Sequence, residues 1–272
     1  MSETPKSIGR KSVRLSLKPS DLFEDEVLAR AWDAQIITLV PQAFPGILGE
    51  SLTGKALAEG IWQLRTIPLR EFGEGPHRKV DDTPAGGGPG LVLRPDIMAK
   101  AVHEAKKRAA PGTPVIYLSP RGKRLDQAMA QRLSQGPGVI LVCGRFEGLD
   151  ERAIEAFEME EVSLGDFVMT GGEIAATALI DATVRLIPRV LGNHDSTEDE
   201  SFSDGLLEHP QYTKPAVWEG RAIPDILLSG HHANIDSWRK GMSHRLTKER
   251  RADLWRAYCA KHNLDPGEDQ SS

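Results

Sequence analysis

The chain has 272 residues, a formal net charge of −5, 39% hydrophobic and 27% charged residues, the balance of a soluble globular protein of one large or two modest domains. That acidity argues against general adhesion to nucleic acid but leaves room for a local basic patch. With Cys143 and Cys259 alone there is no disulfide framework, and with no apolar run long enough to cross a bilayer no membrane role is read; a reducing, cytoplasmic setting is expected.

Residues 1–33 read as an extension. Lys6, Arg10, Lys11, Arg14 and Lys18 precede an acidic patch at Asp21, Glu24, Asp25 and Glu26. The basic start resembles a transit peptide, but the acidic patch fits disorder better. A main domain is expected over 34–190. Gln35 to Val40 is a short β-branched run, read as a buried strand and broken by Pro41 and Pro45. Leu48 to Leu57 suits a helix, and Trp62 to Leu69 a second strand. Arg70 to Gly90 is polar, glycine-rich and long for a connector, hence functional or disordered. Ile97 to Ala109 has helical spacing. Val115 to Leu118 reads as a strand closed by a loop, Ser119 to Gly122. Leu125 to Leu133 follows as a helix, Val139 to Cys143 as a strand, Glu151 to Ala156 as a short helix, Glu161 to Ser163 as a strand and Gly172 to Ile187 as an apolar helix. This alternation predicts an α/β fold with a mainly parallel sheet and helices on both faces. Residues 191–204 read as a flexible linker, 205–265 as a smaller, mostly helical C-terminal domain with a helix from Ala233 onward, and 266–272 as a disordered tail.

The strand ends at Cys143 and Ser163 empty into Gly144-Arg145-Phe146-Glu147-Gly148 and Leu164-Gly165-Asp166-Phe167-Val168-Met169-Thr170-Gly171-Gly172-Glu173. Ligands sit outside the carboxyl ends of strands in open α/β sheets, and glycine allows main chain close to them, so these loops are the candidate site. The usual phosphate fingerprints are missing: Gly54-Lys55-Ala56 lacks the hydroxyl of a P-loop, and no G-x-G-x-x-G follows the first strand. Neither cysteine has a ligand partner nearby and His231-His232 cannot face one point, so no metal site in protein ligands is expected. Asp81-Asp82 with Gly86-Gly87-Gly88-Pro89-Gly90 is either main chain packed on a planar ligand or a flexible linker. The acidic stretch 194–201 is either a solvated linker or a lid that delivers a general base. Trp238, Arg239, Lys240, His244, Arg245, Lys248, Arg250, Arg251, Trp255 and Arg256 suit either a nucleic-acid surface or a solvated helix face over a tryptophan core.

Taken together, HRKVDDTPAGGGPG (77–90), VIYLSPRGKRLDQ (115–127), LVCGRFEGLDERAIE (141–155), SLGDFVMTGGE (163–173), GLLEHPQYTKP (205–215) and LLSGHHANIDSWR (227–239) resemble the bacterial tRNA (guanine-N1)-methyltransferases of the TrmD type. The resemblance runs from about Ile36 to the tail. It implies a SPOUT-class fold with a deep trefoil knot, an obligate homodimer with shared active sites, S-adenosylmethionine (SAM) as methyl donor, Mg²⁺, and a tRNA substrate methylated at N1 of the guanosine 3′ of the anticodon. By motif, Tyr117, Leu118, Ser119, Pro120, Gly144, Arg145, Phe146, Glu147, Leu164, Gly165, Asp166, Phe167, Val168, Met169, Gly171 and Gly172 would hold the cofactor. Phe146 and Phe167 stand where the family usually has tyrosine, and Ala175 where it commonly has proline. Arg185 matches the guanine-contacting arginine. The family's basic aspartate precedes Ser-Phe; here Glu200 precedes Ser201-Phe202, with Asp199 before it, and the gapless register gives Glu200 the role. The resemblance also implies that Arg185 and this carboxylate reach one site from different subunits. A related SPOUT enzyme acting on another RNA atom and a silent RNA-binding module are the competing readings.

Overall fold

Residues 31–191 and 200–267 are described in a computed structural model. The expected extension up to residue 30, most of the expected linker including Asp199, and the tail from 268 lie outside the described residues.

In chain order the elements are β1 (Trp32–Thr38), 3-10 turns at Pro41–Ala43 and Gly46–Gly49, α1 (Ser51–Ala58), β2 (Trp62–Pro68), a 3-10 turn at Leu69–Phe72, β3 (Asp81–Asp82), β4 (Val92–Leu93) and α2 (Pro95–Arg108). There follow β5 (Val115–Arg124), α3 (Gln127–Ser134), β6 (Gly138–Cys143), α4 (Glu151–Ala156), β7 (Glu160–Ser163) and α5 (Glu173–Val184). The C-terminal part holds β8 (Val217–Trp218), β9 (Arg221–Ala222), α6 (Asp225–Leu228), α7 (His232–Arg250) and α8 (Ala252–His262).

The main sheet runs β2-β1-β6-β5-β7 with every neighbour parallel. Its strands are apolar on both faces because helices cover both. Ala34, Ile36, Ile116, Leu118, Val139, Leu141 and Cys143 point to one core with α1, α3 and α5, while Ile37, Val115, Tyr117, Ile140 and Val142 point to the other with α2 and α4. Local signals set the helix starts. Asp126 accepts from Met129 N–H at 2.8 Å and Asp150 from Arg152 N–H at 3.0 Å, as N-caps do. Pro95 opens α2, where a missing N–H costs nothing.

The structure departs from the sequence expectation at several points. β1 reaches back to Trp32, inside the expected extension, because Asp33 pairs with both Gln63 and Gly138. The helix expected from Leu48 begins only at Ser51, since Glu50 is extended at φ −111° and ψ 162°. Ser119–Gly122 does leave the ladder, as Leu118 and Lys123 both pair with Val162, but it does not end the strand. β5 continues to Arg124, the ladder to β7 being interrupted after Leu118 and resumed at Lys123–Val162 and Arg124–Ser163; Pro120 sits inside the interruption, where no ladder N–H is required. Arg70 to Gly90 carries a short strand: Asp81 and Asp82 pair antiparallel with Leu93 and Val92. The C-terminal part adds a short hairpin, β8 with β9, to the expected helices. Its core is Leu206, Trp255, Tyr258 and Cys259.

Candidate functional site

β6, β5 and β7 are neighbours, so their carboxyl ends deliver three segments to one place. The loop after β6 is pinned from two sides. Glu147 N–H donates to Leu91 O at 2.9 Å, and Leu93 N–H to Gly148 O at 2.9 Å. The glycine-rich stretch ahead of β4 is thereby tied to this loop. Gly172 N–H donates to Gly144 O at 3.0 Å, which joins the loop after β6 to the start of α5. Tyr117, 5% exposed, accepts from Leu149 N–H at 3.2 Å, and burial pushes its phenol up. A Cβ on Gly144 would lie 2.9 Å from the Tyr117 ring, closer than real contacts allow, so this position needs glycine for the approach of loop to strand.

These segments enclose a cavity of about 340 Å³, within the range of small-molecule sites. Of the residues expected to hold a cofactor, all but Asp166 line it. Asp166 turns outward and pairs with Arg124 at 2.9 Å, its side chain 90% exposed; a carboxylate there gains more from water and the guanidinium than from an apolar wall. The cavity is also lined by Arg121, Gly148, Leu149, Val162, Ser163, Thr170 and Ala175, of which only Gly148 and Thr170 lay in the loops marked as the candidate site. Arg121, Gly148, Leu149, Ser163 and Thr170 lie inside the quoted motifs; buried Val162 and Ala175 carry no signal separating cavity wall from core. Arg121 spans Glu151 at 2.9 Å and Glu161 at 3.0 Å, and both hold its guanidinium above its usual value. Cys143 is 1% exposed with its thiol pushed up by burial, so it is no nucleophile.

Arg185 and Glu200 are brought together, but elsewhere. Arg185 caps the far end of α5, whereas the cavity touches the near end at Gly172. Its Nη2 donates to Glu200 Oε1 within the same chain. That hydrogen bond holds Arg185 above its usual value against the opposing effect of partial burial. The expectation that an arginine and a carboxylate from different subunits meet at one site concerns a second chain, which a single chain does not test. α5 has 12 residues, about 18 Å at 1.5 Å per residue. Cavity and ion pair of one chain therefore stand at opposite ends of a helix. Among the described residues, no three or more His, Cys, Asp or Glu are grouped to hold a metal ion, and no helix is long and apolar enough to cross a membrane.

In the C-terminal part, α7 buries only Ile235 and Thr247. Its Trp238 lies 6.2 Å from Tyr212, and both line a second cavity with Lys214 and Arg239.

A family model described as tRNA (Guanine-1)-methyltransferase TrmD matches residues 33–257. A protein of Cereibacter sphaeroides is 65% identical over 247 residues, covering 90% of this chain and 99% of its own length. One from Ruegeria sp. strain TM1040 is 64% identical over 234 residues, covering 86% and 96%, and one from Brucella suis is 56% identical over 240 residues, covering 88% and 96%. Each of the three is named tRNA (guanine-N(1)-)-methyltransferase.

Proposed function

The chain belongs to the TrmD family of tRNA (guanine-1)-methyltransferases, enzymes of the SPOUT class, and from that membership we propose that it moves the methyl group of SAM to N1 of the guanosine 3′ of the anticodon, in the cytoplasm. The observation that carries the reading is the one cavity that gathers three motif-bearing strand ends. Its residues fit the donor: apolar walls from Tyr117, Leu118, Leu164 and Met169 for a flat heterocycle, and main chain of three loops for the heterocycle's edge. When bound, SAM supplies a methyl group already activated by a sulfonium. The deep trefoil knot of the class belongs to the same proposal and rests on family membership alone.

The work left to the protein is at the acceptor. N1 of guanine carries a proton and is a poor nucleophile until it leaves. Glu200 is the base: a positioned carboxylate that accepts this proton contributes ~10²–10⁴-fold. Arg185 stays charged and stabilises the negative charge that spreads to O6 as N1 loses its proton. The ion pair between them opens as guanine enters, each partner exchanging the other for the base edge. Asp199, the alternative base, lies outside the described residues. The family resemblance also implies Mg²⁺; among the described residues no His, Cys, Asp or Glu ligands are grouped to hold it.

Because α5 holds donor cavity and ion pair apart, one substrate can meet both only if two chains lie antiparallel along this helix, the cavity of one facing Arg185 and Glu200 of the other. A two-fold dimer does this twice. The exposed apolar mouth supports it: Phe146, Phe167 and Val168 line the cavity and are 50%, 55% and 84% exposed, a patch suited to cover by a second chain. The anticodon stem-loop is assigned to the open faces of the C-terminal part, where Tyr212, Trp238, Lys214 and Arg239 offer stacking and charge.

Incubation of unmodified tRNA with SAM and the enzyme, followed by nuclease digestion and mass spectrometry, tests this. N1-methylguanosine is expected; a ribose 2′-O-methyl product or no methylation would contradict it.

A further inference from the structure

Glu173 is the first residue of α5 and only 6% exposed. The start of a helix favours a negative charge, but a buried carboxylate also needs partners. Thr38, at the end of β1, donates its hydroxyl to Oε1 at 2.7 Å, and Arg145 Nε donates to the same oxygen at 3.4 Å. Arg145 Nη2 lies 2.8 Å from Oε2 without hydrogen-bond alignment, so that contact is an ion pair rather than a directed bond. Nη1 of the same guanidinium donates to Thr170 O at 3.4 Å. One side chain from the loop after β6 is thus gripped by the helix and by the segment ahead of it. Gly171 makes room: a Cβ there would come within 2.3 Å of Arg145 Nε and 2.6 Å of Glu173 Oε2. Arg145, Thr170 and Gly171 line the donor cavity; Glu173 stands behind them.

We propose that Glu173 is a positioning residue for methyl transfer: it fixes Arg145, and through it the closure of the 144–148 loop against the 164–172 segment around the methyl donor. The inference rests on the reading of the cavity as the SAM site. Stability alone is a poor reason for the arrangement, because a well-packed apolar group often replaces a buried ion pair without loss. What an apolar residue could not do is hold a guanidinium at a set place on the cavity wall.

The test uses full-length enzyme and four variants: Glu173→Gln, Arg145→Gln, their combination, and Thr38→Val. SAM affinity is measured by calorimetry, with separate KM values for SAM and tRNA and a thermal midpoint. Glu173→Gln is expected to weaken SAM binding about tenfold or more while tRNA KM stays within about twofold, since a misplaced wall residue acts on the ligand it faces. Arg145→Gln should match it, and the double variant should be no worse than the worse single, as for two residues acting as one unit. Thr38→Val should shift SAM affinity the same way by about threefold, one neutral hydrogen bond being the smaller loss, and it decides the matter should Glu173→Gln fail to fold. Unchanged SAM affinity in the folded variants, parallel losses for SAM and tRNA, or single losses that multiply in the double would overturn the proposal. Wild-type enzyme that fails to bind SAM would overturn the cavity reading and the proposal together; wild type and Glu173→Gln binding equally well would overturn the proposal alone.

Discussion

Glu200 is one methylene longer than the aspartate the family resemblance leads one to expect, yet its carboxylate meets Arg185 directly. A side chain leaving a linker can retreat by the length of a methylene at little expense. Glu200→Gln should therefore cut methyl transfer by ~10²-fold or more with SAM affinity intact, because only the proton acceptor is lost. Glu200→Asp should keep substantial activity and Asp199→Asn should change little. Single-turnover rates at saturating tRNA and SAM check this, and a crippled Asp199→Asn beside a near-normal Glu200→Gln would move the base by one residue. At the other end of α5, Gly144→Val should abolish SAM binding. Its added carbons meet the Tyr117 ring, 2.9 Å from an ideal Cβ, so strand and loop must part where the cavity wall is made. Calorimetry reads the loss, and circular dichroism should still show a folded chain.

Elements were legible where two signals agreed. α4 has the bounds the sequence suggested, because Asp150 caps a short apolar face. β6 was legible because five apolar residues end at a glycine. β5 beyond Leu118 was not. Ser-Pro-Arg-Gly has the composition of a turn and does leave the ladder; only Lys123 and Arg124 return to the backbone of β7, distant in sequence. The site was read from its motifs for the same reason it is local: the residues come from strand ends. Asp166 faces Arg124 rather than the cavity, a direction for which a carboxylate in a glycine loop carries no sequence signal. The α7–α8 pair makes its own prediction. His244 lies 5.4 Å from Trp255 and 5.2 Å from Tyr258 by ring centroid, and burial, aided by Lys240, lowers its pKa while Asp204 opposes this. With the folded value below the unfolded one, the unfolded chain takes the proton first, so stability is full above the ordinary histidine range and falls as pH drops through about 6.5. His244→Phe should flatten the fall in thermal midpoint between about pH 7 and 5; an unchanged slope would assign it to other groups.

On the scale of the whole molecule, the single chain carries two half-sites separated by a helix about 18 Å long. In the proposed function the cavity holds the donor, and Arg185 and Glu200 act on the acceptor. Everything proposed about catalysis requires a second copy to close that gap. It also requires Arg185 and Glu200 to enter a site together, from the same chain, as their ion pair indicates. A mixed dimer of one Arg185→Ala chain and one Glu200→Gln chain should then be as inactive as either parent, since each acceptor half-site carries one defect. The most direct measurement is a dimer of differently tagged chains, one Gly144→Val and the other Glu200→Gln, purified through both tags and assayed for N1-methylguanosine by mass spectrometry. One intact donor cavity then faces one intact Arg185–Glu200 pair, and about half the wild-type activity is expected from the two-fold arrangement. A mixed dimer as dead as either homodimer would place donor and base in the same chain and contradict the account.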